Sequence, residues 1–136
     1  MGTLLRYWGP VCAYAGLIFY LSSQPHPEEQ LPPFVGLLSD KVLHVIEYAV
    51  LGAFFYLGFR WGADASWRPW AVPLAVLCAS LYGGSDEIHQ AFVPFRESSW
   101  LDWVADTVGA GIGAAAMARL ATLWPMSSAP VEDGPS

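Results

Sequence analysis

The chain has 136 residues, 54% of them hydrophobic, 15% aromatic and only 13% charged, which takes it out of the usual soluble range and into the membrane class. Its formal net charge of −6 leaves no basic stripe to neutralise phosphates, so nucleic acid is excluded as a partner. Cys12 and Cys78 lie in apolar runs without the paired spacing of a zinc knuckle or a redox motif, and they read as small lipid- or core-facing side chains.

The length predicts one domain over residues 1–125, an all-α bundle of four transmembrane helices, and a tail over 126–136 whose Pro, Ser, Gly and acidic content predicts disorder. The first helix, about 4–21, has Arg6 as its only formal charge and is long enough to cross most of a bilayer core. No small-x-small cleavage site follows it, so it reads as an uncleaved span rather than a signal peptide. Four prolines between Pro25 and Pro33 then impose an extended loop, with a short interfacial piece at Phe34 to Leu38.

Ser39 or Asp40 caps a second helix over about 40–59. At about 100° per residue, Asp40, His44, Glu47, Tyr48 and Leu51 fall on one face of it, with Lys41 on the shoulder. A charge at bilayer depth costs about 3 kcal/mol, so Glu47 must be paired or protonated. A polar turn with tryptophans at its margins separates this helix from a third, about 70–90, with Pro73 in its first turn. The third ends in Ser85, Asp86, Glu87, His89 and Gln90. Ser98 or Ser99 caps a fourth over about 100–123, on which Asp102, Asp106, Gly109 and Gly113 share a face. The two glycines form a G-x-x-x-G pattern that admits a neighbouring helix closely.

Arg6, Arg60, Arg68 and Arg119 fall on one side of this topology, and only Lys41 and Arg96 on the other. The positive-inside rule therefore places both termini in the cytoplasm and the polar residues of the second, third and fourth helices at the outer face of a bacterial inner or plasma membrane.

Three motifs in register carry a resemblance. They are Asp40-Lys41-x-x-His44-x-x-x-Tyr48-x-x-Leu51-Gly52, then Asp86-Glu87-x-x-Gln90 with Pro94 and Arg96, then Ser99-x-x-Asp102 with Gly109. Over roughly residues 36–115 the chain resembles the VanZ-like family, with Phe95 where a glycine is expected and Asp106 where an asparagine is expected. That family takes its name from a protein associated with resistance to teicoplanin, a glycopeptide that acts on cell-wall precursors outside the membrane. The resemblance implies a small integral membrane protein with an outward site that touches an envelope-related, lipid-linked substrate.

Two readings of the polar residues stand side by side. In one, His44 and Glu47 form a buried pair tying the second helix to the fourth, and Arg96 forks onto Asp102, so that the residues only hold the fold or recognise a head group within a larger membrane complex. In the other, His44 or Glu47 is a base, Asp86 or Glu87 an acid or metal ligand, and Arg96 a clamp on a phosphate or carboxylate, while Asp40, Lys41, Tyr48, Gln90, Asp102 and Asp106 complete the binding site. No cofactor is expected. Asp86, Glu87, His89 and Gln90, with Asp102 or Asp106, have the chemistry to take a divalent cation, although no standard metal spacing is present. The partners expected are membrane lipids, a lipid-linked envelope precursor or another membrane protein.

Overall fold

The computed structural model describes residues 1–123 and is all-helical, with no strand among them. The expected tail, 126–136, lies outside those residues. Four long helices dominate: α1 (Gly2–Ser22), α2 (Asp40–Leu57), α3 (Ala71–Gln90) and α4 (Trp100–Leu123). Short 3-10 turns at Pro27–Gln30 and Pro33–Leu37 join α1 to α2. A π turn at Gly58–Gly62 and a 3-10 turn at Ala65–Trp70 join α2 to α3.

Local chemistry sets several of these boundaries. The Ser39 hydroxyl accepts the Val42 N–H at 3.3 Å and so starts α2 by occupying one of its orphan donors. Ser99 does the same for Leu101 at the start of α4. Helix α2 passes into the π turn two residues before its expected end, because Trp8 of α1 packs on Gly58 and its indole N–H donates to the Gly62 carbonyl at 3.1 Å.

Contacts give the topology. Lys41 meets Asp102, His44 meets Asp106, and Gly109 and Gly113 press on the backbone of Val45 and Ala49, so α2 and α4 run parallel. Ser80 bonds Thr107 and Glu87 bonds Ser99, so α3 runs antiparallel to α4. The seam between α2 and α4 is the tightest in the molecule, since a Cβ at Gly52, Gly109 or Gly113 would intrude on the facing backbone. Small residues continue the core along α3 and α4, where Ala75, Ala79, Ala110 and Ala114 are fully buried.

One described helical stretch, Asp40–Gly62, is long and apolar enough to cross a membrane by length and composition. Its 23 residues rise about 35 Å against a hydrocarbon core of about 30 Å. The fold is thus an all-helical bundle with one such stretch among the described residues, where four had been expected from the sequence.

Candidate functional site

The first turns of α2, the last turns of α3 and the first turns of α4 meet at one end of the bundle. Helical spacing puts Lys41 and His44 on the side of α2 that faces α4, and Asp102 and Asp106 on the side of α4 that faces back. Lys41 pairs with Asp102, and its Nζ lies 3.8 Å from Asp40. His44 Nδ1 lies 2.7 Å from Asp106 Oδ1, and Asp106 is fully buried. On α3, Gln90 Nε2 donates to Asp86 Oδ2 at 3.0 Å. Glu87 Oε2 accepts the Ser99 N–H at 2.9 Å and the Ser98 hydroxyl at 3.4 Å, which sets a carboxylate at the positive end of α4.

Two buried oxygens of this cluster, Glu87 Oε1 and Asp106 Oδ2, have no hydrogen-bond partner, and neither does the Tyr48 hydroxyl below them. His44, Glu87 and Asp106 each bring a possible metal-ligand atom within 4.8 Å of the others, and so do Asp40, His44 and Asp102.

Several pairings differ from those the sequence suggested. The carboxylate on His44 belongs to Asp106 and not to Glu47, because the close seam brings α4 within reach of the imidazole. Glu47 instead lines a cavity. Asp102 takes Lys41 as its cation, and Arg96 has no carboxylate within 4.0 Å among the described residues. His89 leaves the cluster altogether: its Nε2 lies 3.0 Å from the Ser23 hydroxyl and its ring packs on Phe19, so it joins α3 to α1 and does not complete a cation site with Asp86, Glu87 and Gln90. Tyr48 is fully buried beneath the cluster and belongs to the core.

Two cavities open at this end. The larger, about 570 Å³, has an apolar wall that includes Leu17, Ile18, Leu21 and Ile46, and a polar end that includes Glu47, Asp86 and Arg96. The smaller, about 170 Å³, is lined by Asp40, His44, Gln90, Phe95, Arg96, Glu97 and Asp102. Asp40, His44, Gln90 and Arg96 line both. The apolar wall contributed by α1 and by the Pro27–Leu38 segment was not foreseen, although Leu31, Val35 and Leu38 between the prolines were its sequence signal.

Phe95 occupies the position where a glycine was expected, and it is the one described non-glycine residue with positive φ, at 64°. Only glycine adopts that conformation without steric cost. The turn therefore presents Arg96 from a strained residue whose ring stacks on His26 at 5.5 Å.

The described residues thus form a helical bundle with one stretch long and apolar enough to cross a bilayer and a buried polar cluster at one end. The chain belongs to the VanZ/LLP1 family, whose model matches residues 8–122, from α1 through nearly all of α4. No curated protein and no solved structure matches it.

Proposed function

We propose that this is a four-span integral membrane protein that binds an envelope-related, lipid-linked anionic ligand in the larger cavity, from the outer side of the membrane. Family membership supports the membrane setting, and so do the apolar side chains exposed along all four helices, among them Leu17, Ile46, Leu77, Leu81, Val108 and Ile112. Each helix has 18 to 24 residues, about 27–36 Å of rise, which suits a bilayer core of about 30 Å. Four of the six cations lie away from the cluster, and the positive-inside rule supports an outward-facing site with cytoplasmic termini.

The observation that carries the ligand reading is the composition of the larger cavity: a hydrocarbon-compatible wall on α1 and α2 leads to a guanidinium, Arg96, with no described carboxylate within 4.0 Å. A guanidinium in that position is built to fork onto phosphate or carboxylate oxygens. Glycopeptide resistance would then follow from handling an envelope precursor. The test is native mass spectrometry of the detergent-purified protein, comparing wild type with Arg96→Ala and Arg96→Lys. Retention of an anionic lipid or lipid-linked sugar that Arg96→Ala abolishes and Arg96→Lys weakens is expected. Equal retention in all three would sink the reading.

A second reading, a membrane enzyme acting on the same class of ligand, is favoured by the geometry of His44. Its Nδ1 is engaged by Asp106, and the residue lines both cavities. A carboxylate that orients an imidazole in this way is the arrangement used to poise a general base or nucleophile. A mass change in the retained ligand that disappears in His44→Gln would favour this reading.

A further inference from the structure

We propose that His44, Glu87 and Asp106 hold one divalent transition-metal cation, Mn²⁺ or Zn²⁺, at the buried end of the polar cluster. The three residues come from α2, α3 and α4, and their ligand atoms all lie within 4.8 Å of one another. They are 8%, 6% and 0% exposed, respectively, so water does little to solvate their charges. Glu87 and Asp106 each commit one carboxylate oxygen to a protein partner, Ser99 and His44, and each leaves the other oxygen buried and unpartnered. An orphaned buried oxygen is costly, and two of them in one three-residue cluster call for a shared electrophile.

Charge makes the same demand. Asp86, Glu87, Asp102 and Asp106 are all at least nine-tenths buried, whereas Lys41 is committed to Asp102 and Arg96 has no carboxylate within 4.0 Å. Among the described residues, only His44 forms an ion pair with a member of the remaining three, Asp86, Glu87 and Asp106. A dication in their midst offsets the surplus. Two hard oxygens with one imidazole suit Mn²⁺ or Zn²⁺ better than Ca²⁺, which takes an all-oxygen shell, or Mg²⁺, which keeps several waters. The neighbouring group of Asp40, His44 and Asp102 fits less well, because Lys41 already neutralises Asp102 and Asp40 is exposed.

The inference does not depend on the lipid reading, since its probe is the metal alone. The full-length protein, stripped with a chelator in detergent, is titrated with MnCl₂ and the free ion followed by electron paramagnetic resonance. ZnCl₂ is then titrated against a chromophoric chelator. Wild type is expected to bind one ion per chain. Glu87→Gln and Asp106→Asn keep the side-chain shape and are expected to weaken binding by at least about 10-fold, while Asp40→Asn leaves it unchanged. Binding of neither ion by wild type, equal binding by the Glu87 and Asp106 variants, or loss of binding in Asp40→Asn would each overturn the site. If the neutralised variants do not fold, the decision passes to the melting temperature of wild type and Asp40→Asn. A rise in both on adding either ion supports the site, and no rise in wild type overturns it.

Discussion

The α2–α4 seam predicts opposite outcomes for one substitution at two positions of the same helix. At Gly113 a Cβ would press on the carbonyl group and Cα of Ala49, which are backbone and cannot rotate away, so the helices must part. Overpacking of this kind costs about 1–3 kcal/mol, and the rigid obstacle places Gly113→Ala toward the upper end of that range. At Gly111 nothing lies within 4 Å of the added carbon, so Gly111→Ala meets open space. Its only effect is helix propensity, worth up to about 1 kcal/mol in water and less in a membrane, where the unpacked helix remains helical. Unfolding in mixed micelles of increasing dodecyl sulfate content reads both. Gly113→Ala should lower the midpoint clearly and Gly111→Ala should leave it unchanged or raise it. A shift of the same sign and size in the two variants would refute the close approach of α2 and α4. Lipid or metal retention should fall in Gly113→Ala alone, because Lys41–Asp102 and His44–Asp106 both bridge this seam.

Two further predictions test the rim of the site. Phe95→Gly should relieve about 1 kcal/mol of left-handed backbone strain but lose the stack on His26, for a net gain of at most about 0.5 kcal/mol in unfolding midpoint. In a His26→Ala background the gain should be larger, and a larger gain in the wild-type background would contradict the account. The Lys41–Asp102 pair is asymmetric, with side-chain exposures of 47% and 6%. Lys41→Met strands a buried carboxylate and should cost about 2–3 kcal/mol, whereas Asp102→Asn frees a lysine that can reach water and should cost about 1 kcal/mol. The reverse order in the same unfolding assay would show that the carboxylate is solvated.

The long helices were legible because their signals are local. A serine hydroxyl at Ser39 or Ser99 finds its N–H two or three residues on, and an apolar period of 3.6 repeats whatever lies across the core. The convergence of polar residues at one end was legible too, since it needed only the topology. Pairings were not. His44 can reach Glu47 on its own helix by spacing, but the choice of Asp106 depends on how closely α4 approaches, and glycines on both helices set that distance. Arg96 and Lys41 compete for Asp102, and the winner is decided by which turn delivers its side chain at the right height. The end of α2 was misplaced for the same reason, because Trp8, 54 residues from Gly62, forms the contact that accompanies the π turn. The departure at Phe95 was visible in the sequence as a missing glycine, and the positive φ gives it a physical meaning.

Stability and site geometry are coupled in this molecule through a single seam. The glycines of α4 permit the approach, the approach delivers Asp102 and Asp106 to Lys41 and His44, and those pairs hold charges that could not otherwise stay buried. A substitution that changes volume at the polar end therefore disturbs packing and chemistry together, and its phenotype cannot be assigned to either. Isosteric neutralisation separates them: Asp106→Asn keeps the shape and a carbonyl oxygen for the His44 Nδ1–H, yet removes the charge that attracts a cation. If the cluster serves only to hold the helices, that variant should be as stable as wild type or more so, since a fully buried negative charge is replaced by a neutral amide that still accepts the His44 bond. If a cation belongs there, the metal-free protein should gain the same stability while the rise in melting temperature on adding Mn²⁺ or Zn²⁺ disappears. The metal-dependent difference alone tells the two roles apart.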